Sequence, residues 1–492
     1  MKNVAIIIPS LEGGGAERVA GYLSKYLSQQ YNVYIFLRYI NRVKYEYGGT
    51  LVPMSEAGDG KELSTEVALR ILKGKYKIDI AISFMENCNF ANIISKGNEK
   101  VVVSERSSYR QKTPRKLIAE SKIISLYNKA DAIVACSYGV KQSLIQDYGV
   151  SADKTYTIYN FLNKEMYCNM AAEQMEKDVE SFLDGSDYFI SVGRLHPLKR
   201  MDYIIEQFID YEKRNDLSMR LLIIGEGGEK EKLEKILSEK DANEFIRIIP
   251  STINPFLYIA RAKALLVASE YEGMPNVILE SFSLGIPVIS TDCFSGPREL
   301  LEGEEDYAKQ YVYPKVCKRG ILVNSTVNDT DTNNSDLQQA MNMMCNDGEL
   351  NSRMKRNIEE YMEEYSNQNI LRDWISVLEE KCDKKTEEEL ASAKYEEENV
   401  RVLKNAESIY IFGTGVYAKR AYNTYAEEYT ISGFLSSYME EETSMYNTRI
   451  YDIDEIQIKE TDCIILGVGE EYEDEVCDLL KKRGCPNIVY VY

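Results

Sequence analysis

The sequence predicts an α/β protein built as two large lobes and a smaller third unit, each a parallel sheet covered by helices. Short apolar runs rich in β-branched residues alternate with helix-length amphipathic stretches, which is how strands buried on both faces read. This alternation starts at Val4, restarts at Tyr188 and starts a third time at Ile409. With 492 residues, the chain is also too long for one hydrophobic core, so two or three domains are expected.

The first lobe, residues 1–175, carries expected strands at Val4–Ile8, Val33–Leu37, Ile80–Ser83, Val101–Val103, Ala132–Ala135 and Thr155–Tyr159, with a helix at Glu17–Gln29. Thr50–Thr65, polar and glycine-containing, reads as a loop. Acidic, poorly patterned Glu173–Asp187 reads as the linker to a second lobe at 186–378. There the expected strands are Tyr188–Val192, Arg220–Ile224, Phe245–Ile249, Ala264–Ala268 and Pro287–Ser290, with helices Asp202–Tyr211, Glu229–Ser238 and Asn276–Leu284. Ser325–Leu337 reads as a polar surface loop, and Asn357–Leu378 as one helix carrying the only tryptophan, Trp374. The charged stretch 379–404 is expected as a linker helix. The unit at 405–492, thin for an independent core, has strands at Ile409–Phe412, Tyr429–Leu435, Cys463–Leu466 and Asn487–Val491.

Composition excludes several classes of function. A formal charge of −20 argues against bulk nucleic-acid binding. Ten cysteines without a CxxC pair suit reduced thiols rather than a disulfide frame or zinc cluster. One histidine, His196, leaves no material for a His-based metal site or a Ser-His-Asp triad, so no metal is expected. The apolar start VAIIIP is too short for a signal peptide, and no run approaches the roughly 20 apolar residues of a membrane span. Together these point to a cytoplasmic location.

Candidate chemistry gathers in short stretches that follow strands. In YEGMPNVILESFSLGIPVIS (271–290), Glu272 and Glu280 bracket a greasy segment, with Asn276 the expected helix cap. A carboxylate on a rigid helix at position 280 suits the two hydroxyls of a ribose; Glu272 on the loop suits those of a second sugar ring. The loop amides and the positive helix end suit phosphate oxygens. Alternatively, both glutamates are solvent-exposed around a buried helix. In SVGRLHPLKR (191–200), Arg194 and Lys199 follow a glycine turn, as stabilising a diphosphate leaving group requires, unless this is a solvated basic loop. Gly225-Glu-Gly227 ends another strand at a height suited to the nucleotide's base. Gly13-Gly-Gly15 opens its amides to the cleft from the other lobe, with Glu17 placed to cap the following helix.

These residues, above all EGMPNVILE (272–280) with GIPVISTDCFSGPREL (285–300), resemble the retaining glycosyltransferase family 4. The resemblance runs from Val4 to about Trp374. It implies the GT-B fold, with two Rossmann-like lobes around a cleft, and a nucleoside diphosphate sugar as donor, more often UDP than GDP. It further implies that Arg194 and Lys199 bind the donor diphosphate and that Glu280 binds the ribose. Glu272, with the amides of Gly273, Met274 and Asn276, holds the transferred sugar, while Gly14 and Gly15 approach the donor phosphates and the acceptor. Gly225 and Gly227 belong to the donor-binding set. The SGPRE form at 295–299 resembles members that build bacterial surface polysaccharides. Two positions depart from the family: Ser104-Glu105-Arg106 stands where many members have an active-site histidine, leaving Glu105 and Arg106 with acceptor or active-site roles to be settled. Pro250 replaces a common glycine near the base.

The implied reaction moves a hexosyl or N-acetylhexosaminyl unit to a glycan or polyprenyl-diphosphate-linked acceptor, with retention and without the paired carboxylates of glycosidases. The departing phosphate oxygen takes the acceptor's proton, and lobe closure expels water. Seven cations between Arg106 and Lys129, with Glu120 the only acid, suit an anionic membrane or a lipid diphosphate; a helix with a basic solvated face is the alternative. In the third unit, Gly413, Gly415 and Ala418 fit a dinucleotide pattern such as that for NAD. No acid follows the second strand until Glu440, so a structural or substrate-positioning role is preferred. A nucleotide-sugar epimerase or hydrolase, or a non-catalytic sugar-nucleotide scaffold, are the rival readings.

Overall fold

A computed structural model describes residues 1–58, 63–107, 123, 126–215, 219–324, 336–380, 402–403, 405–414, 416–426, 429–437, 444–446, 448–468, 470–485 and 487–490. Most of the expected linker helix at 379–404, most of the 325–337 loop and the basic stretch from Arg110 to Lys122 fall outside these residues. The chain divides into two units, Met1–Lys381 and Cys382–Tyr492.

The first unit holds two parallel sheets. In one, strands lie in the order Thr50–Pro53, Asn32–Leu37, Asn3–Ile8, Ile80–Phe84, Lys100–Glu105, Ala132–Ala135 and Thr155–Thr157. In the other the order is Ile246–Ile249, Arg220–Ile224, Tyr188–Val192, Ala264–Val267, Val288–Thr291 and Gly320–Val323, with Lys315–Val316 antiparallel at the edge. Each sheet reverses its strand order beside its first strand, which opens a crevice at the carboxyl ends of the strands. The expected two-lobed α/β fold is the fold found.

Three elements differ from the sequence reading. Thr50–Pro53 is an edge strand rather than a loop. Its Val52 is buried, and Pro53, which has no N–H to donate, sits at its end, where an edge tolerates it. Glu173–Asp187 contains a helix, Lys177–Leu183, which buries Val179 and Leu183. Asn357–Leu378 is two helices, Gly348–Glu364 and Asn367–Glu379, and Ser366 caps the second by accepting from Gln368 N–H at 3.2 Å.

That break lets the chain cross between lobes. Ile370, Trp374 and Val377 of the Asn367–Glu379 helix join the core around Val4, Ile6 and Phe84, so this helix belongs by packing to the first lobe and not to 186–378. The helix Lys164–Ala171 makes the opposite crossing. Its Tyr167 stacks on Phe256 of the second lobe with ring centroids 4.2 Å apart. The two crossings are fastened side by side: Tyr365 Oη donates to the Asn160 carbonyl at 2.5 Å, and Leu162 N–H donates to Asn367 Oδ1 at 2.9 Å. Each lobe is thus closed by a helix from the other's end of the chain.

The unit Cys382–Tyr492 has a sheet in the order Ser444–Met445, Thr448–Asp452, Ile431–Ser436, Ile409–Phe412, Cys463–Leu466 and Asn487–Tyr490, parallel except for the first pair. Apolar clusters form on both of its faces, one around Ile411, Phe434 and Ile465, the other around Phe412, Leu435 and Ile464.

Trp374 is fully buried in the first lobe. Trp374→Ala is expected to cost about 3–5 kcal/mol there, read as a lower denaturant midpoint for the first unit by circular dichroism. An unchanged midpoint would place this helix outside the core.

Candidate active site

The first-lobe wall begins where the Asn3–Ile8 strand ends. Leu11 is anchored to the loop after the second strand, donating to Arg42 O at 2.9 Å and accepting from Lys44 N–H at 2.9 Å. Gly13 then turns with φ 96°, and Gly14 starts the helix Gly15–Leu27. A Cβ on Gly14 would lie 2.2 Å from Glu17 Oε2, and one on Gly15 would lie 2.6 Å from Asn276 Nδ2 of the other lobe. Only glycine permits this approach. No side chain caps the helix start; Glu17 instead lies half-buried over Gly14. Burial raises its pKa, while its own backbone N–H and the charge of Arg194 pull the other way.

In the second lobe, the loop 193–200 is held by its neighbours. Leu195 N–H donates to Glu226 O at 2.8 Å, and Glu270 N–H donates to Leu198 O at 3.0 Å. Gly225 and Gly227 serve this packing: a Cβ on either would fall 2.0 or 2.2 Å from the carbonyl oxygen of Gly193 or Leu195. Their lack of a side chain is therefore accounted for by the loop that carries the cations. His196 accepts from Leu198 N–H at 3.2 Å and shapes the same turn. Arg194 is exposed, and Lys199 Nζ lies 2.5 Å from Glu272 Oε1. Neither Glu272 nor Glu280 is a solvent-exposed surface group.

The segment 272–280 presses on the first lobe. A Cβ on Gly273 would lie 2.1 Å from the Arg106 carbonyl oxygen and 3.1 Å from Cys136 Sγ, and Met274 beside it is buried. Asn276 does not cap its helix as expected; Pro275 occupies the cap position. Its Oδ1 accepts from Asn160 Nδ2 at 2.6 Å, and Asn160 Oδ1 accepts from Arg106 Nη1 at 2.7 Å, so the Asn276 side chain is committed to the interlobe contact. Glu280, its side chain 8% exposed, is ion-paired with Arg18 from the first turn of the glycine-loop helix.

Glu105 is buried and internally satisfied. One oxygen accepts from the N–H groups of Arg106 and Ser107, the other from Tyr127 Oη at 2.7 Å. That arrangement shapes the strand end. Arg106 stacks over Phe84, its guanidinium carbon 5.2 Å from the ring centroid, and its Nε and Nη2 have no hydrogen-bond partner among the described residues. Burial lowers its pKa, opposed by Cys136 and Glu105.

Sequence reasoning missed three residues: Arg18, Asn160 and Glu299. Glu299 accepts from Tyr138 N–H at 2.8 Å and Gly139 N–H at 2.9 Å, placing a carboxylate from the second lobe on the positive end of the first-lobe helix Tyr138–Tyr148. Arg18 had a legible signal. A cation in the first turn opposes the helix dipole, so its place there needs a partner elsewhere. Asn160 gave none, because a lone asparagine after a strand reads as a turn.

In the other unit, Gly413 and Ala418 are positioned for packing. A Cβ on Gly413 would lie 2.6 Å from Gly467 O, one on Gly467 would lie 2.5 Å from Ala418 Cα, and Ala418 is fully buried. Gly415 lies outside the described residues.

The site residues thus come from the carboxyl ends of strands in both facing sheets. Among known proteins, residues 173–361 match the family described as "Glycosyl transferases group 1" and residues 13–165 match "Glycosyltransferase Family 4". Similar curated proteins include the Campylobacter jejuni N-acetylgalactosamine-N,N'-diacetylbacillosaminyl-diphospho-undecaprenol 4-alpha-N-acetylgalactosaminyltransferase, 27% identical over 77% of this chain and 100% of that protein. The amylovoran biosynthesis glycosyltransferase AmsD of Erwinia amylovora is 22% identical over 63% of this chain and 86% of that one. Among solved structures, Anabaena HepE in complex with UDP superposes with a TM-score of 0.59 at 15% identity, over 77% of this chain and 99% of that one; at this identity the likeness speaks for the fold alone.

Gly273→Ala is expected to leave both lobes folded while pushing the 272–276 loop off Arg106, at a cost of roughly 1–3 kcal/mol. Faster hydrogen exchange at 272–276 and at the Tyr138 and Gly139 amides is the readout. Glu299→Ala strips those two amides of their acceptor and should lower the melting temperature of the first unit, a loss of about 1–3 kcal/mol.

Proposed function

We infer, for a chain that belongs to the glycosyltransferases of the GT-B fold and transfers a sugar from a nucleotide-sugar donor to an acceptor, that the moved unit is a hexosyl or N-acetylhexosaminyl group from a UDP-sugar. On this reading the sugar goes, with retention at the anomeric carbon, to a glycan carried on a polyprenyl diphosphate during surface-polysaccharide synthesis. One observation carries it: both acids of the 272–280 segment are withdrawn from solvent and each meets a cation, Glu272 with Lys199 and Glu280 with Arg18. The acceptor class is supported by the Campylobacter relative, whose name gives a diphospho-undecaprenol acceptor and an N-acetylgalactosaminyl unit.

In this proposal Glu280 accepts the ribose hydroxyls from a rigid helix. Arg194 and Lys199 hold the diphosphate, and Lys199 leaves Glu272 for the phosphate as the donor enters. Glu272 is then free to accept hydroxyls of the transferred sugar, beside the amides of Gly273, Met274 and Asn276. As the glycosyl bond breaks, charge builds on the β-phosphate, and cations already in place stabilise it without reorganising. The same phosphate oxygen takes the proton of the attacking hydroxyl, so no separate protein base is needed. Gly14 and Gly15 let the first lobe close on the phosphates and the acceptor, excluding water. Arg106, which joins the interlobe contact through Asn160, is the first-lobe group assigned to the acceptor side. A lipid-linked acceptor brings the protein against an anionic membrane surface from the cytoplasm. The third unit is assigned a structural or substrate-positioning role, with Gly413 and Gly467 serving close packing around Ala418.

Lys199→Met should lower kcat by roughly 10²–10³ with the fold intact. Glu280→Gln should weaken UDP-sugar binding by roughly 10–100-fold, read by calorimetry on protein whose melting curve is unchanged. A donor screen with lipid-diphosphate acceptors, followed by mass spectrometry, separates transfer from epimerisation and hydrolysis. Free epimer or sugar as the main product would displace the transferase reading.

A further inference from the structure

Glu280 has a partner before any donor arrives. Arg18 reaches it from the opposite lobe, and among the described residues Glu280 is its hydrogen-bond acceptor. Arg18 lies on the same helix start as Gly15, where a Cβ would lie 2.6 Å from Asn276 Nδ2, so it faces the 272–280 segment across the cleft. The helix dipole disfavours a cation in this first turn, so the helix itself gives no reason for Arg18 to be there. Breaking a largely buried ion pair is unfavourable when only one partner is satisfied afterwards. A nucleoside offers hydroxyls to Glu280 and leaves Arg18 without a counter-charge. Pyrophosphate offers oxygens to Arg18 and abandons Glu280. A nucleoside diphosphate carries both groups on one molecule.

We propose that Arg18 is a positioning residue of the donor site: it is the counter-ion of Glu280 in the empty cleft and passes to the donor phosphates as the ribose takes Glu280. The exchange makes the site select nucleoside diphosphates over nucleosides, because only a ligand with both groups replaces both halves of the pair. The proposal rests on the reading of Glu280 as the ribose carboxylate.

Calorimetry on the full chain with UDP, uridine and pyrophosphate, and with GDP and guanosine in parallel, tests it. In Arg18→Met, uridine should bind roughly tenfold or more tighter than in the parent chain while UDP does not gain, so the UDP-to-uridine affinity ratio falls at least tenfold. Arg18→Lys should recover most of that ratio, which a merely structural role would not do. Should Arg18→Met not fold by circular dichroism, Arg18→Gln, which keeps a polar side chain without the charge, replaces it with the same expectation. Equal changes in UDP and uridine affinity, or no change in either, would overturn the proposal. Failure of the underlying reading looks different: Glu280→Gln would then bind UDP and uridine as the parent chain does, however Arg18 behaves.

Discussion

A carboxylate withdrawn from water between two lobes must be paired or neutralised, and the pairing of Glu280 with Arg18 meets that demand here. Much of the cleft is arranged so that this contact can form. The glycine loop lets the Gly15–Leu27 helix approach Asn276 without a clashing Cβ, and Gly273 lets the following loop reach Arg106. Asn160 and Asn276 bridge the same gap with neutral hydrogen bonds, and Glu299 spans it with a carboxylate on a helix end. The crossing helices then keep the lobes at this distance, since the Lys164–Ala171 and Asn367–Glu379 segments are fastened together at their entry points.

Two of the cations and both acids of the 272–280 segment form two separate ion pairs rather than a cationic pocket facing an anionic wall. Lys199 lies on Glu272 and Arg18 on Glu280. Such pairing leaves both acids with a counter-charge, and on the proposed reading a ligand that carries anionic and hydroxyl groups together replaces both halves. Arg194 differs in being exposed. The glycines of Gly225–Gly227 contribute indirectly, by giving the Arg194–Lys199 loop a bed on which its backbone can lie.

Much of the fold was legible in local pattern. Most buried strands announced themselves as β-branched runs, because a parallel strand covered on both faces has no polar alternative. Thr50–Pro53 did not, since an edge strand of four residues with one buried side chain has the composition of a loop. Lys177–Leu183 hid for a related reason: two buried residues in a short acidic helix leave little periodicity. The setting of Glu105 was not legible, because a carboxylate at a strand end looks the same in sequence whether or not it also binds its own backbone and a buried tyrosine.

By itself the sequence determined the parallel sheets, the restart at Tyr188, the glycine turns and the spacing of Glu272 and Glu280, since each depends on residues within one strand, turn or helix. Only the tertiary structure decided what those acids meet. Arg18 and Glu280 are 262 positions apart, and their meeting depends on how two lobes close. The exchange of end helices was decided there too, because Tyr167 and Trp374 are apolar enough to bury in either lobe and the neighbouring chain geometry selects which.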